Sequence, residues 1–125
     1  MTETGFCSRC FDFTVHRLCP ICSDPDRDQY IIMVVEAPQD VSDIEQSGRY
    51  KGLYHVLHGA ISPVKGISPH NLCIGELVTR VDTEELAEII LATHSNMEGE
   101  ATAMYLQRNV LAGKAVKITR LARDR

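Results

Sequence analysis

The chain has 125 residues, of which 44% are hydrophobic, and a formal net charge of −4 at pH 7. This length allows one hydrophobic core with a small appendage, and it excludes two domains of ordinary size. The acidic balance argues against unaided binding to nucleic acid, because phosphate groups favour basic surfaces.

Charge is unevenly distributed along the last third of the chain. Glutamates predominate first, and basic residues follow them. The basic residues are Arg108, Lys114, Lys117, Arg120, Arg123 and Arg125. This pattern indicates either a solvated face or a basic edge that meets DNA or a partner.

The N-terminal sequence MTETGFCSRC contains no apolar stretch of the kind found in signal peptides. No window approaches the run of about 18 apolar residues that a membrane-spanning helix requires. We therefore expect a cytoplasmic protein. In that compartment thiols stay reduced, so a dense cysteine cluster indicates a metal or redox site rather than disulfides.

Four of the five cysteines lie near the start of the chain as two CxxC pairs. They are Cys7, Cys10, Cys19 and Cys22. Four thiolates complete the tetrahedral coordination of Zn²⁺ and leave no position for water, so we predict one structural zinc ion. The alternatives are a redox CxxC motif, two unpaired sites, or His16 in place of one cysteine ligand.

A turn-rich stretch, CSDPDRD, follows the cysteines and predicts a domain boundary. We expect a four-cysteine zinc finger over residues 1–28 and a second domain over residues 29–125.

Strands and helices alternate along the predicted second domain. Runs rich in β-branched residues predict strands at residues 30–35, 52–57, 88–93 and 116–121. Helices are predicted at residues 39–47, stopped by Gly48, at residues 69–80, capped by Ser68, and from the HSNMEGE segment to about Leu111. This order predicts an α/β sandwich with a mostly parallel central sheet of about four strands, the last of them at an edge.

Three glutamates lie where the functional loops of parallel sheets gather, at the carboxyl ends of the strands. Glu36 follows the first strand, and Glu98 and Glu100 begin the last helix. The helix dipole and the free amides of the first turn explain Glu98 and Glu100 structurally. For Glu36 three roles stay open: a magnesium ligand, a contact with a partner, or an acceptor for the amides of neighbouring loops.

The chain resembles the bacterial recombination mediator family RecR in four segments. The Toprim domain of that family is similar to IIMVVEAPQDVSDIEQSGRYKGLYHVLHGAISPVKGISP, EIILATHSNMEGEATAMYL and VKITRLA. The C-x2-C-x8-C-x2-C element resembles the zinc finger of the family in spacing and position. The similarity runs from about Gly5 to Arg123, and it implies a Toprim-type sandwich preceded by a zinc finger with four cysteine ligands.

The resemblance implies a role in recombinational DNA repair, in which the family works with RecO and RecF to load recombinase onto single-stranded DNA. It implies a scaffold whose candidate partner-binding residues are Glu36, Glu98 and Glu100, with RecO as the expected partner and RecF as a second. The resemblance does not extend to the helix-hairpin-helix region or the C-terminal tail of the family. We therefore expect weak DNA binding and impaired assembly of homo-oligomers.

Toprim domains of topoisomerases and primases resemble the EGE segment in the form DPDREGE, in which two aspartates join the first-strand glutamate to hold Mg²⁺. His94 and Asn96 stand at the aspartate positions in this chain. Phosphoryl transfer with magnesium needs several anionic oxygens. We therefore expect a non-catalytic protein, with a magnesium-dependent nuclease or topoisomerase-like enzyme as the alternative.

Overall fold

The computed structural model describes residues 5–6, 13–14, 21, 24–48, 50–62, 65–68, 72–94, 96–114 and 116–121. The strands are β1 (Gly5–Phe6), β2 (Phe13–Thr14), β3 (Asp28–Val35), β4 (Gly52–Val56), β5 (Glu88–Leu91) and β6 (Lys117–Arg120). The helices are α1 (Pro38–Ser47), α2 (Ile74–Thr83) and α3 (Met97–Tyr105), and a π-helical turn, Leu106–Val110, follows α3. Within these ranges no helix has the length and apolar character that crossing a membrane requires.

The central sheet contains four parallel strands in the order β4-β3-β5-β6. Parallel neighbours need a crossover connection, and α1, α2 and α3 supply the three crossovers in turn. The predicted α/β fold with a four-strand sheet is therefore confirmed, and all of the described strands of this sheet are parallel. The last strand lies at an edge, as its position in the chain predicts.

The strand β3 is covered on both faces, as its continuous apolar sequence predicts. Ile32 and Val34 belong to a core cluster that includes buried residues of α2 and α3. Met33 and Val35 belong to a second cluster, which includes Val41 of α1. Because successive side chains of a strand point to opposite faces, α2 and α3 lie on one face of the sheet and α1 on the other.

The helix α1 begins at Pro38, where a missing amide costs nothing because no intrahelical acceptor is available. The carboxylate of Asp40 accepts the amides of Glu36 at 3.2 Å and Ala37 at 3.0 Å, and so satisfies donors at the helix start. Gly48 ends the helix with a φ of 69°, a left-handed conformation that glycine adopts without strain. The predicted stop is confirmed.

The predicted start of α2 is wrong. The helix begins at Ile74, and Ser68 is not its N-cap. Tertiary hydrogen bonds hold the preceding residue, Cys73, outside the helix. Its amide donates to the carbonyl of Leu57 at 3.1 Å, and its carbonyl lies 2.7 Å from Nε2 of His55. The end of β4 therefore binds the backbone groups of Cys73, which a helix begun at residue 69 would have used for its own hydrogen bonds.

The end of α3 lies close to the position predicted from the sequence. The α-helical part ends at Tyr105, and the π-helical turn continues it to Val110. The amide of Leu111 donates to the carbonyl of Leu106 at 2.8 Å, which is the i−5 spacing of a π turn. Leu106, Val110 and Leu111 are all buried, so this wider turn packs against the core.

Arg27 joins the segment that precedes β3 to α1 and to the sheet. Its Nη1 and Nη2 donate to the carboxylate of Glu45 at 3.1 and 2.8 Å, and its Nε donates to the carbonyl of Gly52 at 2.8 Å. The hydroxyl of Tyr54 donates to the same carboxylate. Bidentate arginine–carboxylate pairs are among the stronger hydrogen-bonded pairs, so this cluster fixes how the chain enters β3.

His55 is a fully buried histidine on β4. Nη1 of Arg80 lies 3.2 Å from its Nδ1, and a guanidinium has only donors, so Nδ1 is the acceptor. Nε2 therefore carries the ring proton and donates to the carbonyl of Cys73 at 2.7 Å. Burial, opposed by this hydrogen bond and reinforced by the charge of Arg80, lowers the pKa of His55 from 6.5 to about 4. The histidine is neutral in the folded protein at neutral pH.

The depressed pKa of His55 predicts that the chain loses stability as the solution is acidified. Above pH 6.5 both the folded and the unfolded states hold a neutral His55, whereas between pH 6.5 and about 4 only the unfolded state binds the proton. From pH 7.5 to pH 5.0 this linkage lowers the free energy of unfolding by about 2 kcal/mol. Urea unfolding at the two pH values measures the loss.

The control is His55→Gln, which keeps a donor and an acceptor but does not titrate. The variant should lose about 2 kcal/mol less than the parent between the same two pH values. An equal loss in both proteins would contradict the assignment to His55.

Candidate functional site

Two loops meet at the carboxyl ends of β3 and β5. These strands are neighbours, with Val34 paired to Leu91, and the amide of Ala92 donates to the carbonyl of Val34 at 2.9 Å. The loop after β3 carries Glu36, and the loop after β5 carries His94. The parallel pairing therefore brings together the two loops that the sequence singled out.

His94 bonds to two buried carboxylates across these loops. Its amide donates to Oε2 of Glu36 at 2.9 Å, and its Nδ1 lies 3.6 Å from Oε1 of the same carboxylate. Its Nε2 lies 3.1 Å from Oδ1 of Asp40, which as a carboxylate oxygen accepts the ring proton. Glu36 is only 8% exposed and Asp40 only 3%, so protein groups rather than water surround both carboxylates.

Of the three roles left open for Glu36, the structure shows the acceptor for a loop amide. A partner-binding role for this residue stays a prediction. The sequence reasoning missed Asp40, although an acidic residue at the third position of a helix that begins with Pro38 is a recognisable signal for binding free amides.

A third loop, between β4 and α2, docks at the same end of the sheet. The amide of Gly59 donates to the carbonyl of Glu36 at 2.8 Å. The amide of Ile61 donates to Oγ1 of Thr102 on α3 at 2.8 Å, and this hydroxyl in turn donates to the carbonyl of Glu98 at 2.8 Å. The segments YHVLHGAISP and EGEAT, distant in sequence, are therefore bonded to each other.

Asn96 is the N-cap of α3. Its Oδ1 accepts the amide of Gly99 at 2.7 Å, which is a usual role for asparagine at the start of a helix. His94 and Asn96 therefore both bond within the protein.

Gly99 lies directly against the backbone of His94. A Cβ atom on Gly99 would lie 2.0 Å from the carbonyl oxygen of His94, closer than real Cβ contacts occur. Only glycine permits this approach, because it lacks a Cβ. Contact with the β5–α3 loop therefore explains the glycine of the EGE segment.

Glu98 is half-buried and Glu100 is exposed, both in the first turn of α3. Nη1 and Nη2 of Arg120 donate to the carboxylate of Glu100 at 3.2 and 3.0 Å. The hydrogen bond and the charge of Arg120 lower the pKa of the Glu100 carboxyl. One member of the basic C-terminal stretch thus pairs with an acidic residue of the candidate site.

Among the described residues, no group of three or more His, Cys, Asp or Glu side chains is arranged to hold a metal ion. The predicted zinc ligands Cys7, Cys10, Cys19 and Cys22 lie outside the described residues. The strands β1 and β2 pair antiparallel, and the first CxxC lies between them in sequence. Four sulfur donors in two CxxC pairs fit the tetrahedral coordination of a zinc ion.

Comparison with known families gives two matches. Residues 30–122 match the Toprim domain, which is most of the chain. The chain belongs to the Toprim domain family. Residues 4–24, which precede the Toprim domain, match the four-cysteine zinc finger domain of RecR. This match implies that the N-terminal part of the chain binds zinc.

Curated relatives of this Toprim protein are named recombination protein RecR. The relative from Chloroflexus aggregans is 56% identical over 121 residues, which cover 97% of this chain and 58% of the relative. The relative from Syntrophotalea carbinolica is 51% identical over 120 residues, 96% of this chain and 60% of its own length. The relative from Lactococcus lactis is 48% identical over 121 residues, 97% of this chain and 61% of its own length.

The predicted resemblance to the zinc finger and Toprim portion of RecR is therefore confirmed. The chain spans about 60% of the length of the curated relatives it matches.

The close approach of Gly99 to His94 predicts that Gly99→Ala destabilises the Toprim domain. The added methyl group must displace the His94 backbone, which the bonds to Glu36 and Asp40 hold in place. We expect a loss of about 1–3 kcal/mol in the free energy of unfolding, measured by urea denaturation.

The matched control is Gly75→Ala, because Gly75 is an exposed glycine within α2 and a Cβ there meets nothing within 4 Å. Alanine should stabilise α2 by about 0.5–1 kcal/mol. If Gly99→Ala unfolds at the same urea concentration as the parent, the loop at His94 is not held as described.

Proposed function

We propose that this chain is part of a recombination-repair mediator and acts as a non-catalytic scaffold, which binds a basic partner protein at the carboxyl ends of its strands. The names of its relatives support a role in recombination, since all three are called recombination protein RecR. One observation supports the scaffold role: His94 forms hydrogen bonds with the carboxylates of both Glu36 and Asp40.

Magnesium-dependent phosphoryl transfer needs carboxylate oxygens that can bind the metal. The carboxylate of Glu36 accepts the amide of His94, and that of Asp40 accepts the amides of Glu36 and Ala37 as well as the His94 ring. A cation would have to compete with all of these donors, which are attached to the fold. This arrangement supports a binding role rather than a catalytic one.

The proposed partner-binding residues are Glu36, Glu98 and Glu100. Glu98 and Glu100 would face the partner, whereas the buried Glu36 would act by holding the loop at His94. The partner we propose is RecO, with RecF as a second candidate. Clustered carboxylates speed the association of a basic protein through long-range attraction.

Arg120 competes with the partner for Glu100 in this proposal. The Arg120–Glu100 pair is exposed, with 36% and 56% of the two side chains accessible. Exposed ion pairs contribute only about 0–1 kcal/mol, so a lysine or arginine of the partner can displace Arg120 at little cost.

We further propose that residues 1–28 form a zinc finger with one structural zinc ion and that residues 29–125 form the Toprim domain. Cys7, Cys10, Cys19 and Cys22 would hold the ion. Bound zinc would join the two CxxC pairs and supply folding free energy to a segment too short to build its own core.

The zinc proposal predicts that the purified chain contains one zinc ion and that Cys19→Ser contains almost none. Elemental analysis by mass spectrometry measures the ratio of zinc to protein. Cys73→Ser is the control, because this half-buried cysteine lies far from the cluster in sequence and should keep the full zinc content. Absence of zinc from the freshly purified parent would contradict the proposal.

The partner proposal predicts opposite effects for the two members of the Arg120–Glu100 pair. Glu100→Lys and Glu98→Lys should lower the rate of association with RecO about three- to tenfold at low salt. Arg120→Ala should raise it about twofold, because the carboxylate of Glu100 is released. Surface plasmon resonance with immobilised RecO measures these rates.

The chain offers a matched control pair at the opposite end of the sheet. Lys114 and Asp82 form an exposed ion pair near the start of β5, so Asp82→Lys and Lys114→Ala make the same charge changes away from the site. These variants should bind like the parent. Equal association of Glu100→Lys and the parent would contradict the partner proposal, and nicking of supercoiled DNA by the parent with Mg²⁺ would show a catalytic site.

A further inference from the structure

Ile21 stands within the second CxxC pair and also packs on the core of the Toprim domain. In sequence it lies between Cys19 and Cys22, two of the proposed zinc ligands. In the structure it is half-buried and packs against the second core cluster, on the α1 face of the sheet. We call this cluster the α1-face cluster, and its buried members are Met33, Val35, Val41, Tyr54, Val56 and Ala92.

The first CxxC pair encloses no apolar residue. Ser8 and Arg9 stand between Cys7 and Cys10, so the position that corresponds to Ile21 holds an arginine. Charged side chains are rarely buried without a partner. Of these two positions, only that of Ile21 therefore carries a side chain suited to a hydrophobic core.

Hydrogen bonds on the C-terminal side of Ile21 tie the chain to α1. The amide of Asp24 donates to the carbonyl of Ile21 at 3.2 Å, and the amide of Arg27 donates to the carbonyl of Asp24 at 3.3 Å. The guanidinium of Arg27 in turn donates to the carboxylate of Glu45 on α1. These bonds use no cysteine side chain, so we expect them to hold residues 24–28 with or without zinc.

The position of Ile21 itself needs further support. Holding this residue against the sheet orders several residues around it, and each ordered residue loses conformational entropy. Partial burial of one isoleucine does not offset the entropy lost by several residues. Zinc held by Cys19 and Cys22 would fix the backbone on both sides of Ile21 and supply the missing free energy.

The α1-face cluster adjoins the polar contacts of the candidate site. Val35 directly precedes Glu36, and Val41 directly follows Asp40 in α1. The carboxylate of Asp40 binds the ring of His94. The packing of α1 on the sheet therefore determines how firmly Asp40 is held at the site.

We infer that Ile21 couples the zinc site to the α1 face of the Toprim domain, so that bound zinc tightens the packing of α1 and the hold of Asp40 on the site. This inference rests on the proposed zinc site, and it gives the ion an effect beyond its own segment. Loss of zinc loosens α1 and leaves the sheet folded, because the bonds of Arg27 and the core on the opposite face do not use the ion.

The first test measures amide hydrogen exchange of the full chain with zinc bound and after its removal by excess EDTA. In the parent, removal should speed exchange roughly tenfold in α1 and at the amides of Glu36 and Ala37, which donate to Asp40. Exchange in α2 and α3 should not change. Ile21→Ala should exchange fast in α1 even with zinc bound, whereas Ile21→Val, which keeps a β-branched apolar side chain, should behave like the parent.

The second test measures zinc affinity by competition with a coloured chelator. Coupling between two sites is reciprocal, so Ile21→Ala should still bind one zinc ion but about tenfold more weakly than the parent. The matched control is Arg9→Ala, at the corresponding position of the first CxxC pair. This variant should bind zinc like the parent and leave exchange in α1 unchanged, and circular dichroism checks that every variant is folded.

The outcomes separate this inference from the zinc proposal. A parent without zinc would contradict both. A zinc-bound parent in which α1 exchanges at the same rate before and after zinc removal would overturn the inference and leave the zinc proposal standing. The inference also fails if zinc removal loosens α1, α2 and α3 alike, or if Ile21→Ala binds zinc as tightly as the parent.

Discussion

The bonds of His94 to Glu36 and Asp40 hold together the end of the sheet at which we place the function. They join the loop after β5 to the loop after β3 and to the first turn of α1. Gly99 then packs on the backbone of His94, so the start of α3 takes its position from the same loop. The position of the exposed residues of α3 therefore depends on the buried contacts of His94, in which those residues take no part.

This contact also supports the proposal that the site is a binding surface and not a metal centre. Carboxylates that are removed from water need partners, and in a metal-dependent site the cation is that partner. In this chain amides and an imidazole fill the same need for Glu36 and Asp40. Because these donors belong to the chain, the shape of the site does not depend on an ion from solution.

The edges of the sheet are protected in two different ways. At the β4 edge, Arg80 is buried and donates to the carbonyl of Tyr54 at 2.7 Å and to Nδ1 of His55 at 3.2 Å. At the β6 edge, the exposed Lys117 and Arg120 place charges on the open strand. A bonded carbonyl and edge charges both discourage pairing with another chain.

The sequence by itself determined the order of elements, the parallel sheet and the two loops that carry the site. The signals were local in sequence: hydrophobic runs indicated the strands, Gly48 the end of a helix, and the EGE segment the start of another. Each signal can be recognised from a few consecutive residues. The spacing of the cysteines likewise predicts the zinc finger that the family match supports. The sequence thus sufficed to predict those features that depend on the residues of a single segment.

Only the tertiary structure decided which groups meet at the site. The start of α2 moved to Ile74 because Leu57 and His55 bind the backbone of Cys73, and no local signal reports such distant partners. For the same reason, the sequence did not show that Asp40 binds the ring of His94 or that Met97 is exposed. Hydrogen-bond partners and burial are properties of pairs of segments, and folding alone brings those segments together.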